Sequence, residues 1–181
     1  MDLAAIQTSV VAFVRDNQAW APVVVAALAF GESLAVVSAL VPATVALLAI
    51  GAVVDTMGLN LWSLILGGAV GAALGDWASY EFGRYFDTRV KHMWPLKDLP
   101  GVVERAEGFV QRYGVAGVFL GRFSGPLRAF VPLVAGVFDM PRLPFQAANV
   151  ASAVIWSALL LTVGDVAGDV SGRLFGWLRG G

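Results

Sequence analysis

Two arginines, Arg122 and Arg128, lie in a stretch from Gly114 to Met140 that is otherwise apolar except for Asp139. A charge at the centre of a membrane helix costs about 2.5–3.5 kcal/mol on insertion scales, so two in one such segment call for compensation. Guanidinium keeps its charge at any relevant pH, and its planar fork matches two phosphate oxygens at once. A pair of them in one cavity would make a phosphate clamp. The competing reading is that they pair with Glu32, Asp76 or Asp139, or reach along their stems to the surface.

Glu32 is the acidic counterpart, the one charge between Asn17 and Val54. Burial favours a neutral carboxyl, whereas an arginine partner favours the carboxylate. Glu32 therefore suits a proton carrier and a plain charge balance equally. Asp76 follows a row of glycines, Gly67, Gly71 and Gly75, and shares a helix face with Tyr80, with Arg84 one turn further on. It reads either as a helix-end charge facing headgroups or as a second acid in transport.

The elements that would carry these residues follow from hydrophobic patterning. Leu3–Arg15 is too short and too polar to span a bilayer and reads as an amphipathic interfacial helix. The run around Pro42 and Thr44 is broken by the proline into two short apolar legs, which predicts a re-entrant hairpin. Leu59 to Phe86 is long enough for a transmembrane helix, which needs about 20 residues. The glycine row gives it a face that a second helix can approach closely. Arg84 to Arg112 holds Arg84, Arg89, Lys91, Lys97, Arg105 and Arg112, half of the 12 Lys and Arg residues. The positive-inside rule places this loop in the cytoplasm, and Val102–Tyr113 reads as an amphipathic surface helix.

The stretch with Gly121, Arg122, Pro126, Arg128, Pro132 and Gly136 cannot face lipid throughout and predicts a second re-entrant hairpin. Leu143–Val163 is an uncharged span, and a glycine-rich tail begins at Gly164. The predicted division is 1–16 (amphipathic helix), 17–86 (first repeat), 87–113 (loop and amphipathic helix), 114–165 (second repeat) and 166–181 (tail). Glu32 and Arg122 each precede a proline, Pro42 and Pro132, by the same interval. With one crossing between them, the hairpins would enter from opposite faces as an inverted repeat. The expected fold is thus all-α and polytopic, with the transmembrane and amphipathic helices arranged around the two hairpins.

Composition agrees with a membrane setting and removes several functions. The 181-residue chain is 58% apolar and only 14% charged, against about 25% charged in a soluble domain. A net charge of −1 gives no field for nucleic acid. Without cysteine there is no disulfide, iron–sulfur cluster or thiol catalysis, and the lone His92 offers no histidine-rich metal site. Ser124 lies in Arg-Phe-Ser-Gly-Pro, which is no nucleophile elbow, so no enzyme and no cofactor are expected. The N-terminus carries Asp2 instead of a basic region, and no cleavable signal peptide is expected. The tryptophans read as interfacial, except Trp156, whose mid-span position predicts helix packing.

The run Gly121-Arg122-Phe123-Ser124-Gly125-Pro126-Leu127-Arg128-Ala129-Phe130-Val131-Pro132-Leu133-Val134-Ala135-Gly136 resembles the signature of the DedA family, also called the SNARE-associated or VTT-domain family. Phe30-Gly31-Glu32 resembles its early Phe-x-Glu, and Gly75-Asp76-Trp77 with Tyr80, Gly83 and Arg84 resembles a second motif. Phe145, Asn149 and Trp156 are similar to its closing segment. The likeness covers residues 25–165.

That resemblance implies two facing hairpins, a multi-pass protein of the bacterial cytoplasmic membrane, and movement of lipids. The lipids implied are undecaprenyl phosphate or phospholipids such as phosphatidylethanolamine, with protons as possible coupling partners. Arg122 and Arg128 would be the essential arginines and Glu32 the essential acid. One departure is Thr44, where many bacterial members carry an acid; threonine holds no proton at neutral pH, so coupling would rest on Glu32 alone.

The sequence therefore predicts a flippase or scramblase. Arg122 and Arg128 would hold the phosphate, and Glu32 and Asp76 would handle charge or protons. Pro42, Thr44, Gly121, Pro126, Pro132 and Gly136 would shape the hairpins, with Tyr80, Arg84, Asn149 and Trp156 in support. A homo-oligomer is compatible with this reading. The alternatives are a proton-coupled cation antiporter using Glu32 and Asp76, and a scaffold whose arginines are structural.

Overall fold

The computed structural model describes residues 3–34, 43–86, 89, 96–98 and 100–180. Among these the secondary structure is helical, without strands. The order is α1 (Leu3–Asp16), α2 (Ala21–Ser33), α3 (Thr44–Gly51), the single turn α4 (Val54–Met57), α5 (Leu61–Phe86), α6 (Pro100–Gly121), α7 (Phe130–Val137) and α8 (Arg142–Gly180). Short 3-10 turns occupy Gln18–Trp20, Leu96–Asp98 and Gly125–Ala129. Pro42 and His92 fall outside the described residues.

Local chemistry sets the boundaries. Pro22 sits in the first turn of α2, where its missing N–H costs nothing. The Asn60 side chain accepts the Ser63 N–H at 3.3 Å and caps the start of α5. Gly58, at φ 64°, ends α4 in the left-handed conformation that glycine adopts without strain. Gly114 breaks α6 at φ 53° and ψ −130°, separating its charged first part from the apolar Val115–Gly121 end.

The glycine-rich tail from Gly164 is helical, because α8 continues without interruption to Gly180. No proline follows Pro144 to stop it. Gly164 and Gly168 serve packing: a Cβ at either would strike the backbone of α3 or the residue after it, at Leu48 and Ala52 respectively.

The same device joins the other helices. Gly67, Gly71 and Gly75 of α5 lie against the backbones of Pro22, Ala26 and Phe30 of α2, both rows advancing by four residues. Gly83 of α5 meets Leu133 of α7, and Gly136 of α7 meets Tyr80 and Arg84 of α5. Gly51 of α3 meets Leu161 and Gly164 of α8. Backbones in such contact gain dispersion and exclude lipid from between the helices.

The buried apolar residues form two cores. One gathers Tyr80, Val110, Phe130, Val131, Val134 and Phe145. The other gathers Val14, Val25, Leu47, Ile50, Leu64 and Leu161. On α5 the second core reaches as far as Ala72, and the first begins at Tyr80. On α8 the first core holds Phe145, and the second begins at Ala153.

Two helices, Leu61–Phe86 and Arg142–Ser171, are long and apolar enough to cross a membrane. Leu66, Val70 and Leu74 form an exposed row on α5, and Val150, Val154, Ile155, Leu159, Val163, Val166 and Val170 are exposed on α8. An apolar exterior of this extent suits lipid contact.

Candidate functional site

In the gap between the two cores, α5 places Asp76 and α8 places Asn149 and Ser152, all buried. Arg122, just past the end of α6, reaches into this gap. Its Nη2 donates to Asp76 Oδ2, in a direct ion pair, and to Asn149 Oδ1 at 2.8 Å. Its Nε donates to Ser152 Oγ at 3.0 Å. Asn149 is itself anchored, because its Nδ2 donates to the Ala73 carbonyl at 3.0 Å. The Arg122 and Asp76 side chains are only 4% and 7% exposed. A buried pair is tolerable when its remaining hydrogen-bonding capacity is met, and Asn149 and Ser152 each take up one of the Arg122 donors.

Arg128 lies in the 3-10 turn Gly125–Ala129, which also contains Pro126. Its Nη2 donates to Glu32 Oε1 in a second direct ion pair, and to Thr44 Oγ1 at 3.1 Å. The Thr44 hydroxyl donates to the same Glu32 oxygen. The Arg128 guanidinium carbon lies 5.5 Å from the centre of the Trp156 ring, within cation–π range. Glu32 is 2% exposed and Arg128 21%. The other carboxylate oxygen, Glu32 Oε2, is buried with no hydrogen-bond partner among the described residues.

Glu32, Ser33, Asp76, Arg122, Arg128 and Trp156 line one small cavity, with space for about one water molecule.

The structure thus brings together Glu32, Thr44, Asp76, Arg122, Arg128, Asn149 and Trp156 from the sequence-derived set. The two arginines do not converge on one anion here; each has its own carboxylate. Asp76 is not a helix-end charge facing headgroups, because Gly75 lets α2 close over that face of α5. Trp156 packs in the second core and also presents its ring to Arg128.

Other members of the set stand apart. The Tyr80 hydroxyl donates to the Met140 carbonyl and accepts from Arg84 Nη1 at 2.9 Å. Arg84 Nη2 also reaches Asp139 Oδ1 at 3.1 Å. Tyr80 and Arg84 therefore tie α5 to the α7–α8 turn. Gly121 packs on Val131, Pro132 is buried inside α7, and Gly136 seats α7 on α5.

Sequence reasoning missed Ser152 and Ser33. Ser152 lies three residues after Asn149 on the same helix face, which was a usable signal. It missed the forked pair of Arg142 Nε and Nη2 with Glu81 at 2.9 and 3.0 Å as well. Among the described residues, no three His, Cys, Asp or Glu side chains gather where they could hold a metal ion.

Comparison with known proteins gives a consistent picture. Residues 41–166 match the family model described as the VTT domain. The chain is 31% identical over 157 residues to the inner membrane protein YabI of Escherichia coli, covering 86% of this chain and 61% of that one. It is 30% identical over 133 residues to the E. coli inner membrane protein YqjA, covering 72% and 60%. It is 41% identical over 98 residues to the uncharacterized membrane protein Rv2637 of Mycobacterium tuberculosis, covering 51% and 45%. The chain thus spans about three-fifths or less of the length of these relatives. No solved structure matches it.

Proposed function

Because this chain belongs to the VTT-domain, or DedA, family of membrane proteins, we propose that it moves a phosphate-bearing lipid across the bilayer. The observation that carries this reading is the Arg128–Glu32 pair: a partly exposed cation held at a polar cavity between two apolar cores. Arg128 contacts the lipid phosphate while the chains stay in the surrounding bilayer. Arg122, fixed by Asp76, Asn149 and Ser152, supplies a second positive charge at the same cavity. Undecaprenyl phosphate is the first candidate, since its phosphate monoester offers several free oxygens to guanidinium. Phosphatidylethanolamine is the second. Protonation of Glu32 would release Arg128 and couple movement to a proton gradient.

The topology we propose is multi-pass, in a bacterial inner membrane, with two re-entrant hairpins related by an inverted repeat. The first hairpin is α2 with α3, and the second is the end of α6 with α7. Supporting this, α2 packs on α5 and α3 on α8, while α7 packs on α5 and the second hairpin's Arg122 bonds to α8. Each hairpin is shared between both long helices in the crossed fashion a pseudo-twofold axis requires.

The test is reconstitution into liposomes with labelled undecaprenyl phosphate and labelled phosphatidylethanolamine, side by side. Faster transbilayer movement than in empty vesicles is expected, and its loss in Arg128→Ala. If neither lipid crosses faster, the proposal is wrong. If Arg128→Ala transports as well as the unmodified protein, Arg128 is not the phosphate ligand.

A further inference from the structure

The arrangement around Arg128 has the form of an occupied anion site. Two donors converge on a single oxygen: Arg128 Nη2 and the Thr44 hydroxyl both bond to Glu32 Oε1. Arg128 Nη2 also donates to Thr44 Oγ1, so the hydroxyl is oriented with its proton toward the carboxylate. The Trp156 ring flanks the guanidinium and limits its movement. A carboxylate oxygen and a phosphate oxygen make the same demand on such donors.

Glu32 fills this site poorly. Its second oxygen is buried without a partner among the described residues, a loss that the hydrogen bonds on Oε1 offset only in part. The partner arginine is the more exposed of the pair, and a small cavity adjoins the carboxylate. Arg122 is different: its donors are spread over Asp76, Asn149 and Ser152, with no single oxygen at their focus.

We propose that the Glu32 carboxylate is an internal stand-in for the lipid phosphate, and that Thr44 is a headgroup ligand. The incoming phosphate displaces Glu32 Oε1, takes over the bonds from Arg128 and the Thr44 hydroxyl, and occupies the space that the Glu32 carboxylate vacates together with the adjoining cavity. Glu32 is thus a competitor that keeps the site closed when no lipid is present and helps expel the headgroup afterwards. This rests on the lipid-phosphate reading above and assigns its site a second ligand and a resident inhibitor.

The test is binding of dodecyl phosphate to the purified protein in dodecyl maltoside micelles, read as the mole fraction that half-saturates thermal stabilisation. Glu32→Gln keeps the shape but loses the charge that competes, and should bind about tenfold tighter, as loss of one charged hydrogen-bond competitor implies. Thr44→Val should bind about tenfold weaker, and Thr44→Ser, which keeps the hydroxyl, as the unmodified protein does. In liposomes Glu32→Gln should bind lipid yet turn over more slowly.

The failures separate. Glu32→Gln binding no tighter, or Thr44→Val binding like the unmodified protein, overturns the stand-in while leaving the lipid reading intact. No binding of dodecyl phosphate by any of these proteins overturns both. Inorganic phosphate binding as tightly as dodecyl phosphate, with the same variant pattern, keeps the stand-in but assigns the site to free phosphate and sinks the lipid reading.

Discussion

Arg122 and Arg128 come from one short motif, and each ends on a carboxylate, yet their surroundings differ in kind. Arg122 is enclosed, and its donors are divided among an acid, an amide and a hydroxyl on two long helices. Arg128 is partly exposed, and its bonds fall on one acid and one hydroxyl contributed by the short α2 and α3. The first arrangement joins the two membrane-length helices and holds its arginine by several fixed partners. The second joins the end of α2 to the start of α3, and it leaves a carboxylate oxygen without a partner among the described residues. Enclosure among several fixed partners marks a structural ion pair, and incomplete satisfaction at a partly exposed arginine marks an exchangeable one.

The largest test of that contrast is removal of each acid. Asp76→Ala leaves Arg122 buried and unpaired, and should cost about 3–5 kcal/mol of stability. Thermal unfolding in detergent checks this, with Glu32→Ala as the comparison; Glu32→Ala should cost clearly less, because Arg128 can turn toward water. Equal losses would erase the distinction. A smaller effect is expected from Ser152→Ala, which strips one acceptor from Arg122 and should cost about 1–3 kcal/mol. Lipid movement per folded molecule should stay unchanged in that variant, so a transport defect without a stability defect would move Ser152 into the binding site. The smallest effect on binding belongs to Trp156→Leu. It removes a cation–π contact of about 0.5–2 kcal/mol and should weaken dodecyl phosphate binding a fewfold, while the lost ring packing in the second core lowers the unfolding midpoint as well.

Much of this site was legible in the sequence because charge is conspicuous in an apolar chain. Glu32, Asp76, Arg122 and Arg128 are visible from membrane cost alone, before any fold is known. Their pairing was not, since Arg122 and Asp76 are separated by a whole loop and an amphipathic helix, and either acid could have served either arginine. Thr44 looked like a missing acid; the structure shows a hydroxyl in use between two charges. The glycine row on α5 was read correctly as a close-packing face, because four-residue spacing fixes which side it occupies. Gly164 and Gly168 have identical spacing but lie in a less apolar stretch past the predicted span, and their role as a seat for α3 was not read from the sequence.

The glycine contacts carry one further consequence. Where Gly71 meets Ala26, or Gly136 meets Tyr80, no side chain stands between the two backbones. A joint made of interdigitated side chains can slip by exchanging rotamers; a joint made of main chain against main chain has no such gears to change. The seams of α5 with α2 and α7 therefore behave as welds, and articulation is left to places without them. Gly114 and Gly125 are two such places: both have positive φ, and a side chain added to either would meet nothing. They flank Arg122, so the end of α6 that leads to it is hung between two joints on an otherwise stiff frame.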